Sequence, residues 1–513
     1  RFGETRLLHP SICLDCSSAL IPCLVVAVLL AMPTVVTSDL HPGVAAAIAQ
    51  AGSHAAKAKV RDFTQQEEGD AAQWVSEPLH ERHPDLLVHT DRPFNAEPPN
   101  YALQEMITPQ GLHYRRQHTP VPVVDEASYR VSVGVAGAEP RRFSLAELKG
   151  FRERELTVTF MCTGNRRSEF NTEHDGETMG LPWKNGSIST AAWKGALLAD
   201  VLQAAGIDDS LEESGFRFMT FYGLEDYRIS VPLSKCLAKG GDCILAWAMN
   251  GETLPRDHGF PLRVVIPGFV GARSVKWISR ILVTKDEVDG MHQVGIAYKQ
   301  LAPNVKKLSD VTKDYIHALP PIDHVPVTSA VTAPEPGAQV APGQVLAVAG
   351  YAYSGAGRAV IRVDVSLDGG NTWGQAELAR AADAQGMRSG RAWAWVQWRY
   401  SAVVPQACPC PGQLDIVCKA VDDQYNQQPH GGSAIWNLRG ILNTSWGRTT
   451  VHVGTPGSEI SAEALSGDGT IANVGVKMSA SFQCPECRQR FESDRAKQLH
   501  WKFIHDPNRH QED

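Results

Sequence analysis

The stretch LTVTFMCTGNRRSEF, residues 156–170, determines how the first half of this chain is interpreted. Apolar side chains or a thiol recur there at every second position: Leu156, Val158, Phe160 and Cys162. A period of two is typical of a strand with one buried face. A Thr-Gly pair follows directly, so we predict a strand that ends at a turn and carries the Cys162 thiol at its end.

Two arginines, Arg166 and Arg167, come four and five positions after this cysteine. A thiolate is the ligand that a soft redox metal prefers, and nearby positive charge favours the deprotonated thiol. Arginine binds oxyanions through paired N–H donors. The segment therefore fits a metal centre beside an anionic ligand. Taken alone, it fits better a buried structural cysteine followed by two surface arginines, because free cysteine is usually buried.

The segment resembles the molybdenum-ligand segment of the sulfite oxidase family, and the resemblance extends over about residues 82–455. Four further segments carry it: FNAEPP (94–99), ITPQGLHYRRQHTPVPVVD (107–125), MNGETLPRDHGFPLRVVIPGFVGARSVKW (249–277) and IWNLRGILNTSW (435–446). The resemblance implies oxidation of sulfite to sulfate by oxygen-atom transfer at molybdenum held by a pterin (molybdopterin). Cys162 would then be the protein ligand of the molybdenum.

The same resemblance implies roles for other side chains. Sulfite would contact Arg116, Arg167 and Arg439, with Trp183 shaping the pocket and Tyr298 beside the metal. Another set would hold the pterin and its phosphate: Tyr114, Arg115, Arg116, Gln117, His118, His258, Arg263, Ser274, Val275 and Lys276. Glu225 or Asp226 should hydrogen-bond the pterin ring, with Asp226 as the assigned residue. Met179 departs from the family pattern, because animal members have a basic residue there.

Composition and length allow several domains but exclude some partners. The chain has 513 residues and a formal charge of -7, so nothing in its overall charge suggests nucleic acid. Its 11 cysteines do not form the disulfide framework of a small secreted protein. The basic residues of the matched segments are expected to form an electropositive funnel: Arg116, Arg166, Arg167, Arg263, Arg273, Lys276, Arg280 and Arg439.

Residues 1–81 are interpreted as a targeting or anchor segment followed by a linker. Residues 17–36 are apolar and free of charge, over about the length that spans a bilayer. We expect the mitochondrial intermembrane space, with secretion or membrane anchoring as the alternative. LHPG (40–43) resembles a haem-ligand turn of the domain fused to animal sulfite oxidases, but Val44 replaces the next glycine, and haem is not expected.

The body of the chain is predicted to be an α+β protein with two parts. Residues 82–326 read as a mixed α/β molybdopterin-binding domain, in which SLAE (144–147) is a capping box and one helical face runs from Trp193 to Leu202. Residues 327–455 alternate apolar and polar residues between Gly-rich turns, which is typical of an immunoglobulin-like β-sandwich. This second part resembles the dimerisation domain of molybdenum oxidoreductases, which implies a homodimer.

A flexible Gly/Ser/Ala-rich linker (456–481) leads to a segment with metal-ligand spacing (482–510). Two thiols and two imidazoles, Cys484, Cys487, His500 and His505, are spaced as zinc ligands. Phe482 and Phe491 stand where a small ββα zinc finger needs its core, although Lys497 replaces the usual core leucine. A single finger gives little DNA specificity, so a protein partner is expected rather than nucleic acid.

Two rival functions stay open from the sequence. The molybdenum half of an assimilatory nitrate reductase shares the same core, although Arg439 in its NLRG context favours sulfite. A zinc-finger interaction protein with a scaffold-only oxidoreductase core is the alternative of another class. Without a haem domain, electrons from sulfite would pass to cytochrome c or to oxygen.

Overall fold

The computed structural model describes residues 74–173, 178–381, 390–406 and 412–454, and the strand residues 482–483 and 490–491. The predicted targeting segment (17–36) and the zinc ligands Cys484, Cys487, His500 and His505 lie outside these ranges. Within them, no helix has both the length and the apolar character needed to cross a membrane.

Short strands dominate the first part of the described chain. They are β1 (Leu87–Asp91), β2 (Phe94–Glu97), β3 (Arg115–Arg116), β4 (Arg130–Val135), β5 (Arg141–Ser144), β6 (Glu153–Met161), β7 (Ile188–Leu197), β8 (Phe218–Gly223), β9 (Arg228–Pro232), β10 (Ile244–Met249), β11 (Glu252–Thr253), β12 (Arg263–Val265) and β13 (Ile278–Thr284). The helices are α1 (Leu145–Lys149), α2 (Arg167–Glu173), α3 (Leu198–Ala204), α4 (Ser210–Glu213), α5 (Leu233–Leu237) and, before the second part, α6 (Lys313–Ala318).

These strands form three sheets in the orders β1-β2-β3, β11-β10-β7-β6 with β12 also on β10, and β5-β4-β13-β8-β9. Their pairs are antiparallel except for the parallel pair β4 and β13. A large apolar cluster, which includes Val131, Leu202, Phe221 and Ile281, is shared by the two five-stranded sheets and α3. The mixed helix-and-sheet character expected for this part is present.

Local sequence signals were right in one place and wrong in another. Ser144 caps α1 with the predicted capping box, because its hydroxyl accepts from the Glu147 N–H and the Glu147 carboxylate accepts from the Ser144 N–H. The helical face predicted from Trp193 to Leu202 was wrong in its first half. Trp193 and Leu197 belong to β7, where they pair with Met249 and Ile244 of β10, and the helix begins only at Leu198.

The second part contains further strands. They are β14 (Thr328–Ala333), β15 (Gln339–Val340), β16 (Val345–Tyr353), β17 (Val360–Ser366), β18 (Gly374–Gln375), β19 (Glu377–Ala379), β20 (Val396–Val403), β21 (Gln413–Asp422) and β22 (Gly447–Val453). They form two sheets, β14-β16-β20-β19 and β15-β22-β21-β17-β18. Both sheets contribute side chains to one apolar cluster, with Val348 and Trp398 from the first and Val363 and Ile416 from the second. The two sheets therefore pack face to face.

Residues 74–81 contact the first part, although the sequence placed them in a linker. The Glu77 carboxylate accepts from the Val121 N–H at 2.8 Å and pairs with Arg82. The Glu81 carboxylate accepts from the Arg256 N–H at 2.9 Å. In the tail, β23 (Phe482–Gln483) and β24 (Arg490–Phe491) pair antiparallel, with Phe482 opposite Phe491.

Candidate active site

Cys162 lies one residue beyond the end of β6, at the end of a strand as predicted. Val158 and Phe160 of that strand are buried in an apolar cluster, against which Cys162 packs as a partly buried member. The Cys162 N–H donates to the Ser187 carbonyl at 2.9 Å, and the Gly164 N–H donates to the Cys162 sulfur at 3.4 Å. The backbone thus fixes the cysteine on both sides and leaves its sulfur partly exposed.

This sulfur faces a cavity that encloses about 740 Å³ of empty space, counted to its open mouth. Residues from several loops line the cavity: His113, Tyr114, Arg115, Arg116, Gln117, His118, Thr119, Phe160, Cys162, Thr163, Glu225, Tyr227, Asp257, His258, Arg263, Gly271, Ala272, Ser274, Val275, Lys276, Trp277 and Tyr298. Twelve residues singled out from the sequence are among them: Tyr114, Arg115, Arg116, Gln117, His118, Cys162, His258, Arg263, Ser274, Val275, Lys276 and Tyr298.

Asp226 does not line the cavity, whereas its neighbour Glu225 does. Asp226 has a φ of 63°, and its side chain is 81% exposed and paired with Arg228 at 2.6 Å. Of the two adjacent residues considered for the pterin ring, it is therefore Glu225 and not the assigned Asp226 that borders the cavity. Burial raises the pKa of Glu225 to about 7, partly offset by the charge of Lys276.

Arg167 and Arg439 lie beside the cavity wall rather than in it, and they come from different parts of the chain. The Arg167 Nε–H donates to the Arg439 and Gly440 carbonyls at 3.2 and 2.9 Å. Burial lowers the pKa of Arg167 to about 10; the Cys162 thiol opposes this shift, and the charges of Arg439 and Arg116 add to it. The Cys162 thiol and the guanidinium groups of Arg116, Arg167 and Arg439 are therefore close enough to interact electrostatically.

Trp183 is fully buried next to this group. Its ring meets His89 edge-on with centroids 4.7 Å apart, and its carbonyl accepts from the Ser168 N–H at 3.0 Å. It is not part of the cavity lining. Trp183 thus packs behind α2, which begins at Arg167, and can affect the pocket through that helix.

Positive charge is concentrated at the inner wall. Burial, with Arg263 as the next cause, lowers the pKa of Lys276 to about 7. Burial lowers the pKa of Arg263 to about 9 and that of His113 to about 3. A pKa of about 3 leaves His113 neutral at pH 7, whereas the lowered pKa of Arg263 and of Lys276 means that nearby negative charge does not fully balance the burial of these two groups. The wall is therefore suited to an anion.

Asp257 holds the base of this wall together, and the sequence reasoning missed it. Its carboxylate accepts from the Nε–H of Arg82 at 2.9 Å and of Arg115 at 3.0 Å. Gln117 donates to it at 3.3 Å, and Lys276 donates to its backbone carbonyl at 3.0 Å. Its position beside His258 in the PRDHGF motif was the available signal.

The funnel predicted from eight basic residues forms only in part. Arg166 donates to the Ser445 and Trp446 carbonyls at 2.6 and 2.8 Å. Arg273 donates to Gln293 and to the Ile322 carbonyl. Arg280 lies over the Tyr222 ring, 3.9 Å from its centroid. These three arginines connect parts of the fold and do not line the cavity.

Several buried polar atoms of the lining have no hydrogen-bond partner within the part of the chain that the structure describes. They are Nε2 of His113 and His258, Nε of Arg263, Oγ1 of Thr119 and Oε2 of Glu225. Buried polar atoms are nearly always paired. Five unpaired atoms around one cavity fit a polar ligand with both donors and acceptors, as a pterin carrying a phosphate has.

Comparisons with known proteins identify the family of the chain. The family model described as "Oxidoreductase molybdopterin binding domain" matches residues 118–292, and "Mo-co oxidoreductase dimerisation domain" matches residues 320–454. A protein named sulfite oxidase from Gallus gallus is 48% identical over 375 residues, covering 72% of this chain and 78% of its own length. The Homo sapiens protein named sulfite oxidase, mitochondrial, is 46% identical over 380 residues, covering 72% of this chain and 66% of its own length.

Among solved structures, the sulfane dehydrogenase SoxCD from Paracoccus pantotrophus superposes with a TM-score of 0.56 at 24% identity. The superposition covers 69% of this chain and 83% of that one, and it concerns the fold alone. The two family models together cover most of the described chain, and the Gallus gallus relative is matched over 375 residues. This chain belongs to the sulfite oxidase family.

Proposed function

We propose that this protein oxidises sulfite to sulfate at a molybdenum–molybdopterin centre. One observation carries the proposal: the Cys162 thiol, Arg116 and Tyr298 line the same cavity, and Arg167 and Arg439 act electrostatically on that group from its edge. Within the cavity wall, a thiol, positively charged groups and a phenol come together only around Cys162.

The lining residues suit the cofactor. The unpaired atoms of His113, His258, Arg263 and Thr119 would hold its phosphate and pterin, and Glu225 would accept from the pterin ring. The bound group supplies the two-electron oxygen-transfer chemistry. Cys162 would be its thiolate ligand from the protein.

The protein's own contribution is to bind and orient a dianion. Arg116 would provide donors from the first part of the chain, and Arg439 from the second. Arg439 has a buried Nε without a hydrogen-bond partner within the described ranges. Fixed cations in a site with little water stabilise developing negative charge strongly. The Tyr298 hydroxyl would steer the anion or exchange a proton with it.

We further propose a homodimer formed through the second part, which would have an immunoglobulin-like topology. Electrons would pass to cytochrome c or to oxygen, in the mitochondrial intermembrane space. The supports are the dimerisation-domain match over residues 320–454 and the word "mitochondrial" in the relative's name. Domain limits at 82–326 and 327–455 are part of the same proposal.

The test is one preparation analysed for molybdenum, zinc and iron, then assayed with sulfite using cytochrome c and using oxygen. Sulfite-dependent reduction of either acceptor, with one molybdenum per chain, is expected. Protein with stoichiometric molybdenum that leaves sulfite unchanged would reject the proposal. Reoxidation of the reduced enzyme by nitrate would instead favour the nitrate-reductase reading. An intact cellular role in a Cys162→Ser strain would favour the zinc-finger interaction protein.

For the tail, we propose a zinc finger over 482–510 that binds a protein partner. Its supports are the spacing of Cys484, Cys487, His500 and His505 and the pairing of Phe482 with Phe491. We expect one zinc per chain in the wild type. A double variant, Cys484→Ser with Cys487→Ser, should lose this zinc and keep its molybdenum. Equal zinc content in both proteins would refute it.

A further inference from the structure

We propose that Gly164, Gly180 and Gly440 form a slot that fixes the guanidinium group of Arg167, which makes Gly164 and Gly180 positioning residues for sulfite binding. The inference rests on the proposed function, in which Arg167 contacts sulfite. Gly164 and Gly180 belong to the first part of the chain and Gly440 to the second, and all three lie against this one side chain.

The spacing around Arg167 leaves no room for a Cβ atom. A Cβ at Gly164 would lie 2.7 Å from Nη2 and 2.9 Å from Cζ of Arg167. A Cβ at Gly180 would lie 2.8 Å from Nη1 and 3.0 Å from Cζ, and one at Gly440 would lie 2.7 Å from Cγ. Glycine therefore contacts the head of the side chain at two points and its stem at a third.

Hydrogen bonds to backbone carbonyls also hold the guanidinium group of Arg167. Nε donates to the Gly440 and Arg439 carbonyls, and Nη1 donates to the Leu181 carbonyl at 2.8 Å. Within the described ranges, Nη2 makes no hydrogen bond and no carboxylate pairs with Arg167. Two edges of the guanidinium group are thus held by backbone, and the Nη2 edge is left for an anion.

This arrangement holds the long, flexible side chain of Arg167 in its binding conformation before an anion arrives. An arginine normally loses rotamer freedom when it binds an anion, which weakens binding. In the slot that freedom is already lost in the folded protein. A methyl group at Gly164 or Gly180 must push the guanidinium group out of line, because the opposite wall is backbone that cannot yield.

The experiment compares Gly180→Ala and Gly164→Ala with Gly290→Ala in the molybdenum-loaded enzyme. Gly290 is a matched control for backbone strain, since its φ is +131° against +123° for Gly180, and its Cβ would meet nothing closer than 3.6 Å. Gly164 does not have a left-handed φ, so its variant tests steric contact alone. We expect kcat/KM for sulfite to fall on the order of 10- to 100-fold in both slot variants, mainly through KM, with Gly290→Ala near wild type.

A second measurement does not depend on turnover. Each substitution is repeated in an Arg167→Ala background, where the slot is empty and a methyl group has space. The slot predicts that Gly180→Ala lowers the thermal midpoint clearly in the wild type and much less in Arg167→Ala, and that it changes KM no further there. Equal losses in both backgrounds, or slot variants that behave like Gly290→Ala, would overturn the inference. A wild type that does not oxidise sulfite would overturn the proposed function instead, while the thermal comparison still decides on the slot.

Discussion

The Nη1 group of Arg166 donates to the backbone carbonyl of Ser445 at 2.6 Å, and so joins the turn after β6 to the second part of the chain. The adjacent Arg167 uses its Nε on the Gly440 carbonyl and leaves Nη2 unbonded within the described ranges. Two consecutive arginines therefore differ in their contacts: Arg166 connects the two parts of the chain, whereas Arg167 keeps one edge available for the anion that we propose it binds. Arg166 has a φ of 62°, which turns its side chain away from that of its neighbour.

Arg166→Met should lower the free energy of unfolding by about 3 kcal/mol, since it leaves buried carbonyls and Glu169 without a partner. Arg167→Met should cost much less stability, because burial and the charges of Arg439 and Arg116 already disfavour that cation, yet it should raise the sulfite KM strongly, with Arg116 and Arg439 keeping it measurable. Urea unfolding and sulfite KM measure the two effects. Similar stability losses in both variants would contradict the division of tasks.

Asp257→Asn should be strongly destabilising, by about 3–5 kcal/mol, because it leaves the buried cation Arg115 without its carboxylate and Arg82 with Glu77 alone. Glu126→Gln is the control, since its pair with Lys149 is about half exposed and such pairs contribute less than about 1 kcal/mol. Chemical denaturation at pH 7 compares the two. A loss at Asp257 no larger than at Glu126 would show that the network does not support the cavity wall.

The Asp257 carboxylate should also make the stability of the protein depend on pH. Burial alone would raise the pKa of Asp257, but the hydrogen bond from Arg82 and the charges of Arg115 and Arg82 outweigh it and lower that pKa below 3.8. A lowered pKa contributes stability that is present above the unfolded value and is lost as pH falls through the folded value. Wild type should therefore lose stability below about pH 4, and Asp257→Asn should lose less over that interval.

Lys276→Met tests the buried charge of the inner wall in the cofactor-free protein. An unfolded lysine keeps its proton to about 10.5, whereas burial lowers the folded pKa to about 7. Between these values the unfolded chain binds more protons, so the free energy of unfolding should rise as pH increases from about 7 to 10.5. Thermal unfolding over this interval should show the rise in wild type and its loss in Lys276→Met. An identical slope in both proteins would contradict the assignment.

Some of the site could be predicted from sequence because the signals are local. Period-two spacing up to Cys162 and the Ser144–Glu147 capping box each involve a few neighbouring residues, and the structure has both. The motif resemblance brought most lining residues together, since each motif is a loop whose backbone carries the contact. It was harder to assign which residue of a turn faces the cavity. Glu225 and Asp226 are adjacent, and only the backbone φ decides between them.

Other features depend on contacts between distant segments, which no local pattern contains. Trp193 fits a helical face by spacing, but pairing with Met249 across β10 places it in a strand. Arg166 looked like part of an electropositive funnel, yet its partners are Ser445 and Trp446, almost 280 positions away. His113 lies in the matched segment 107–125 but was not singled out there, and its place in the site follows from its burial beside His258, with ring centroids 4.9 Å apart.

Cys162→Ser should separate the role of the thiol from its role in packing. The side chain is partly exposed and serine is of similar size, so stability should change little. A hydroxyl is a poor ligand for a soft metal. Sulfite turnover should then fall by on the order of 100-fold or more, with lower molybdenum content and unchanged bound pterin, measured by metal analysis and by fluorescence of the released pterin.

Cys236→Ala is the matched control for this cysteine. Cys236 is buried in the apolar cluster of the first part and does not line the cavity. Its removal should cost about 1 kcal/mol of stability and leave both molybdenum content and turnover intact. Cys162→Ser should therefore lose activity and keep its stability, whereas Cys236→Ala should lose some stability and keep its activity. A Cys162→Ser enzyme that keeps full molybdenum and wild-type turnover would show that the thiol is not the metal ligand, whatever its position in the cavity.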